Sequence, residues 1–191
     1  MNRQRIDLSA YSSGFKTGTR LARALWAFVW VVLFRGSPAP CFGWRRFLLR
    51  VFRAKIASGV HVYPDTRIWA PWNLVMGQHS CLGPHVDCYN VAPVEIGANV
   101  IVSQYSYLCT ATHDDRDPGM RLVTQPNTIA EAAWVCADAF VGPGVRVGKG
   151  AVLGARSSAF KDLEPWKVYG GIPARLLRDR VLKSGSQPVT E

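Results

Sequence analysis

Counting in sixes from Ile129 lands on Val135, Val141, Val147 and Leu153, an unbroken aliphatic series. The residue after each is small (Ala130, Cys136, Gly142, Gly148, Gly154), and the fifth of each hexad is small or modest (Ala133, Ala139, Val145, Ala151, Ser157). The frame runs upstream through Ile96, Val102 and Leu108, through Met76, Leu82 and Cys88, and through Ile56, Val62 and Ile68. Among the upstream fifth residues Thr112 fits and Trp72 fits poorly. The frame slips by two residues between 68 and 76 and again between 88 and 96.

A helix repeats its apolar face every ~3.6 residues and a half-buried strand every second one, so neither gives this spacing. A three-sided parallel coil does. Each hexad is a short strand plus a corner, with the aliphatic residue on the axis and a small residue leaving room beside it. Three hexads close a triangular turn, and turns stack as parallel strands ~4.8 Å apart. A β-sandwich would need the spacing to be accidental. The predicted fold class is all-β: a parallel β-helix of about five turns, starting at 56, 76, 96, 129 and 147. Both slips fall at the same corner of successive turns, as bulges there would. Residues 1–55 read as a basic, partly apolar helical arm, 56–164 as the β-helix, and 165–191 as a short C-terminal helix and tail.

The rhythm fails once. The third turn ends with the hexad Leu108–His113, and the next begins only at Ile129. Residues 114–128, rich in Asp, Arg, Pro and Gly, form a loop extruded at a corner. Long loops in compact repeat folds usually carry function. His113 stands at its base on rigid framework. An imidazole there can act as a general base or stand as a solvated loop residue.

Charge sharpens the reading of the arm. Of 191 residues, 23 are Lys or Arg and 13 are Asp or Glu, a net charge of +10. Residues 1–55 hold 11 of the cations and one acid, Asp7, so the body is neutral. Nucleic-acid binders carry their basic stripe on the folded body, so no nucleic-acid partner is expected. A basic segment beside the apolar run Ala24–Phe34 points to an anionic membrane surface. That run is shorter than the ~20 residues a span needs, and "SPAPC" behind it offers no signal-peptidase site. A helix lying in the interface, with Trp26 and Trp30 four apart on one face and arginines at both ends, is one reading. A helix packed on its own domain or on a sister subunit is the other. Five cysteines (Cys41, Cys81, Cys88, Cys109, Cys136) show no CxxC pair or zinc spacing, as for reduced thiols in a cytoplasmic protein. His79 and His85, six apart, would occupy different faces, which disfavours a three-histidine zinc site. No metal is expected.

The hexads, "IGANVIVSQYSYLCTATHD" (96–114), "DPGM" (117–120), "AWV" (133–135) and "KDLEPWKVYGGIPARLL" (161–177) resemble the hexapeptide-repeat acyltransferases. The likeness is to the colanic-acid type of exopolysaccharide O-acetyltransferase, related to the maltose and galactoside enzymes. It implies a left-handed β-helix, a homotrimer with sites between subunits, and acetyl transfer from acetyl-CoA to a saccharide hydroxyl. It makes His113 the general base. It puts Trp134, Ala137, Ala155, Lys161 and Arg175 along the coenzyme. Where maltose-type enzymes have an acceptor-binding Asn and Asp, ungapped counting finds Gly83 and Val91. Asp87, Tyr89 and Asn90 are the nearby substitutes, with Asp114 beside the base. The basic arm adds a lipid-linked saccharide to the expected acceptors, and peripheral contact with the inner membrane face to the expected location. A metal-dependent hydratase on the same fold and a non-catalytic scaffold are the alternatives.

Overall fold

The computed structural model describes Ile6, Leu8, Ser9 and residues 14–183. Three parallel sheets form the sides of a prism. The first side holds Lys55–Ile56, Leu74–Met76, Val94–Ile96, Asn127–Ile129 and Arg146–Val147. The second holds His61–Val62, Cys81–Leu82, Ile101–Val102, Trp134–Val135, Val152–Leu153 and Lys167–Gly170. The third holds Arg67–Ile68, Asp87–Tyr89, Tyr107–Cys109, Phe140–Val141 and Ser158–Ala159. Five turns are complete, and Leu163 with Lys167–Gly170 begins a sixth. Registers join residues of equal frame position: Val62, Leu82, Val102, Val135 and Leu153 are stacked one above another. Every frame aliphatic from Ile56 to Leu153 is buried, and most are wholly inaccessible.

The small residue after some aliphatics has a reason the axis does not supply. A Cβ on Gly97 would lie 2.5 Å from the backbone nitrogen of Glu131 in the next turn. The corner is close-packed against the backbone above it, so hydrogen is the largest substituent that fits.

The two slips sit at the corner between the third and first sides. One is a short 3-10 turn, Pro71–Asn73. A polar spine fills this corner. The buried Asn90 amide accepts from Ala70 N (2.9 Å) and donates to Ala70 O (2.6 Å). One rung up, Thr110 Oγ1 accepts from Ala92 N at 3.0 Å and donates to Tyr89 O at 2.9 Å. Ala70 N and Ala92 N, which the bulge takes out of the ladder, are satisfied in this way, while Tyr89 O also accepts from Thr110 N at 3.2 Å.

The arm folds back under the prism. Helix α1 (Thr17–Val29) continues through a π-helical turn, Trp30–Phe34, and α2 (Phe42–Val51) follows. The first turn of a parallel coil has no rung beneath it, so half its carbonyls lack a backbone donor. The arm supplies side-chain donors. Trp26 Nε1 donates to Ile68 O (2.7 Å) and Trp30 Nε1 to Thr66 O (2.9 Å). Arg45 Nε donates to Val62 O (2.6 Å), Arg46 to Val60 O (2.9 Å) and Arg50 to Ile56 O (2.8 Å). Phe34, Leu48 and Leu49 are buried beneath the turn. Both tryptophans therefore face the protein, as a helix packed on its own domain requires, and three of the basic residues are structural.

No helix closes the described C-terminal end. Arg175–Asp179 returns antiparallel along Lys167–Gly170 instead. The last rung leaves an open strand edge. A returning strand satisfies its N–H and C=O groups, which a helix would leave bare.

Candidate active site

The break at His113 is an antiparallel hairpin, not the irregular loop that composition predicts. Ala111–His113 pairs with Leu122–Thr124, with His113 opposite Leu122. The chain leaves the prism at Thr110, so Thr112 is exposed instead of facing the axis. Thr110 O accepts from Gln125 N at 2.9 Å and closes the stem, and Asn127 resumes the first side. His113 thus stands at the outer end of the stem, exposed.

Its Nδ1 lies 2.5 Å from the carbonyl oxygen of Met120. A carbonyl only accepts, so the proton of this contact belongs to Nδ1 and Nε2 is the basic nitrogen of the neutral ring. Met120 has φ +49° and ends a turn built by Asp117. The Asp117 backbone carbonyl accepts from Met120 N at 2.8 Å. Its carboxylate accepts from Gly119 N at 3.0 Å and pairs with the Arg121 guanidinium. The Arg121 hydrogen bond, helped by the Gly119 N–H, holds the Asp117 carboxyl below the usual range. Asp117 organises the tip, a role its loop setting concealed. Asp114 Oδ1 accepts from Arg116 N at 3.0 Å, and Asp114 N donates to Arg121 O at 3.0 Å.

Against the stem, Cys109, Ala111, Gln125, Phe140, Pro143 and Phe160 line a groove of about 330 Å³ on the third side. An aromatic column runs down that side from it: Phe160, Phe140, Tyr107, Tyr89 and Trp69, with successive ring centroids 5.6 to 6.3 Å apart. At its foot a cleft of about 390 Å³ opens between α1 and the third side, lined by Arg23, Trp30, Arg67, Trp69, Asp87 and Tyr89, among others. Arg23 lies 3.9 Å over the Trp69 ring, and its buried Nε has no hydrogen-bond partner among the described residues. Burial pushes the Asp87 carboxyl up, partly offset by Arg67. Aromatic faces beside carboxylate and guanidinium groups suit a polyhydroxylated ring with apolar faces.

Asp87 and Tyr89 therefore share a cleft, and Asn90 does not join them, since its amide is committed to Ala70 in the corner spine. Arg23, Arg67 and Trp69 escape the frame because their side chains point outward. The trace left in sequence is Arg23 interrupting an apolar helix. Trp134 stands elsewhere, half-exposed on the second side, with Nε1 donating to Ser103 Oγ at 3.0 Å. Ala137 and Ala155 share the corner between second and third sides, where Arg156 N donates to Ala137 O at 3.0 Å. Arg175 follows Ala174, whose N–H reaches Ser158 O at 2.8 Å, and exposed Lys161 lies just past the same strand. Within one chain, Trp134 lies on the second side of the prism and His113 on the hairpin that leaves it after the third.

Cys88, Cys109 and Cys136 are buried, and burial raises the Cys88 and Cys136 thiols, so neither is poised as a nucleophile. His85 stacks on Tyr105 at 4.8 Å, and His79 fills the space under Gly59 at another corner. Among the described residues no three His, Cys, Asp or Glu side chains converge.

No protein-family model matches the chain. It is 41% identical over 177 residues to WcaF of Escherichia coli (strain K12), named as a colanic acid biosynthesis acetyltransferase, covering 92% of this chain and 97% of that protein. It is 25% identical over 138 residues to the galactoside O-acetyltransferase of the same organism, covering 71% and 68%. Its fold matches the hexapeptide-repeat acetyltransferase VCA0836 of Vibrio cholerae O1 biovar eltor, solved with acetyl coenzyme A, with a TM-score of 0.79 at 20% identity, covering 92% and 96%.

Proposed function

The chain belongs to the colanic-acid-type hexapeptide-repeat acetyltransferases, and from that premise we propose that it transfers acetyl directly from acetyl-CoA to a saccharide hydroxyl, with His113 as general base. The contact between His113 Nδ1 and the Met120 carbonyl carries this reading, because it leaves Nε2 as the nitrogen that accepts a proton. An alcohol is a poor nucleophile until that proton leaves. As the acceptor oxygen attacks the thioester carbon, Nε2 takes its hydrogen. The new C–O bond forms, the C–S bond breaks, and the imidazolium returns its proton to the departing thiolate. A backbone N–H at a coil corner serves the oxyanion, and Ala137 is the one we assign. No acyl-enzyme is needed.

The separation of His113 from Trp134 within one chain supports a site completed by a second copy. In a cyclic trimer, the hairpin of one protomer meets the second side of the next. Trp134, Ala137 and Ala155 then lie along the pantetheine, and Lys161 and Arg175 face the coenzyme phosphates. The acceptor enters along the third side, with Asp87 and Tyr89 binding hydroxyls beside Trp69 and Asp114 near the base. The test is thiol release from acetyl-CoA over a panel of oligosaccharides and lipid-linked saccharides. Wild type should release thiol with at least one acceptor, and His113→Ala should lose about 10²–10⁴-fold in kcat. A His113→Ala protein of undiminished rate would refute the assignment of the base.

A further inference from the structure

The arm has a second face. Its inner side caps the prism, but Leu21, Leu25, Phe28, Val32 and Phe47 are 53 to 68% exposed on the outer side. Trp44 Nε1 donates to Leu33 O at 2.9 Å and its ring stacks on Phe47, so α1 and α2 present one continuous apolar surface. A patch of this kind on a soluble body marks an interaction site.

Charge selects the occupant. Residues 14–55 contain no Asp or Glu. Arg45, Arg46 and Arg50 are engaged by first-turn carbonyls, but Lys16, Arg20, Arg53 and Lys55 stand exposed on the same segment. A second copy docking base to base would bring the same cations together and repel. An anionic lipid surface complements both features, with headgroups against these cations and acyl chains against the apolar face. Thr17–Phe34 is 18 residues of mean hydropathy 1.2, near spanning length. Its inner stripe is anchored, however: Trp26 and Trp30 bond carbonyls of the first turn. The helix offers one side only, so it lies on a membrane and does not cross it.

We propose that the outer face of the α1–α2 cap docks the protein on an anionic lipid bilayer. Ala27 of α1 and Val31 of the π-helical turn also line the cleft that holds Asp87 and Tyr89, so docking brings that cleft to the headgroup level. The proposal stands apart from the catalytic assignment, and its test needs no acceptor. The full chain is floated with vesicles of phosphatidylglycerol and phosphatidylcholine, and with phosphatidylcholine alone, while its mass in solution is followed against concentration. Wild type should float with the anionic vesicles. Phe28→Glu/Phe47→Glu should melt like wild type and partition about tenfold less or weaker. Arg20→Glu/Arg53→Glu should weaken flotation and flatten its salt dependence. Wild type remaining unbound, or the Phe28→Glu/Phe47→Glu protein floating undiminished, would overturn the proposal. So would concentration-dependent self-association that this double variant abolishes without any vesicle binding.

Discussion

Asp117 and Arg121 are paired across the tip of the hairpin, on the same short turn that turns the Met120 carbonyl toward His113. An exposed ion pair contributes little to global stability. Here it sets a local shape, and through it the tautomer of the His113 ring.

Replacing Asp117 with Asn should therefore leave the melting temperature within about 1 °C and lower kcat roughly tenfold, with KM for acetyl-CoA little changed. Steady-state kinetics separate the two parameters. The pH dependence has a defined sign. The Asp117 carboxyl is depressed by Arg121 and the Gly119 N–H. Its contribution to the tip is present above the ordinary carboxylate value and is lost as pH falls through the depressed one. The Gly119 amide resonance should hold its position below pH ~4 and move only at stronger acid.

Asp87 titrates in the opposite sense. Burial raises its carboxyl, so the ionised form costs stability in the folded state above that raised value. Asp87→Asn should raise the melting temperature at neutral pH. The gain should vanish below the ordinary carboxylate value, where Asp and Asn are both neutral. If the cleft receives the acceptor, KM for it rises about tenfold, because a charge-assisted hydrogen bond is lost. Thermal scans at two pH values and acceptor titrations check both parts.

A mixing experiment decides whether protomers share the site. His113→Ala chains and Trp134→Ala chains, each of low activity, are unfolded together and reassembled. If His113 of one subunit serves Trp134 of the next, random assortment in a trimer restores about a quarter of the sites. No recovery would mean that each chain supplies its own pair.

Arg45 is wholly buried, and beyond Val62 it donates to Ser37 Oγ (2.8 Å), Pro38 O (2.9 Å) and Ala39 O (2.5 Å). Arg45→Met keeps the bulk and removes every donor, leaving Val62 O and Ala39 O unsatisfied, while Pro38 O keeps the Cys41 N–H at 3.0 Å. The expected loss is about 3 kcal/mol, or a fall of roughly 10 °C in a domain of this size. Arg35→Met, which removes an exposed pair with Asp65 at 3.7 Å and a guanidinium 5.6 Å from the Trp30 ring, should change the melting temperature by about 2 °C or less. Circular dichroism melts of both variants test the contrast.

The sequence by itself determined the tower. A period of six follows from the chain alone, because each rung needs one large residue on the axis and parallel stacking repeats the demand. It also located the break at His113, since a polar stretch cannot continue an apolar frame. Tertiary structure decided what no period records. Whether residues 114–128 stay irregular depends on pairing, and Ala111–His113 found Leu122–Thr124. Whether Asn90 binds a ligand depends on which backbone groups the bulge leaves unpaired, and Ala70 claimed its amide. The arm held both readings of its tryptophans and arginines at once. The open edge beneath the first turn chose between them, because unpaired carbonyls exist only once the turn has closed. Outward side chains such as Arg23, Trp69 and Trp134 carry no periodic constraint, so their neighbours are fixed by the fold and not by the spelling of the chain.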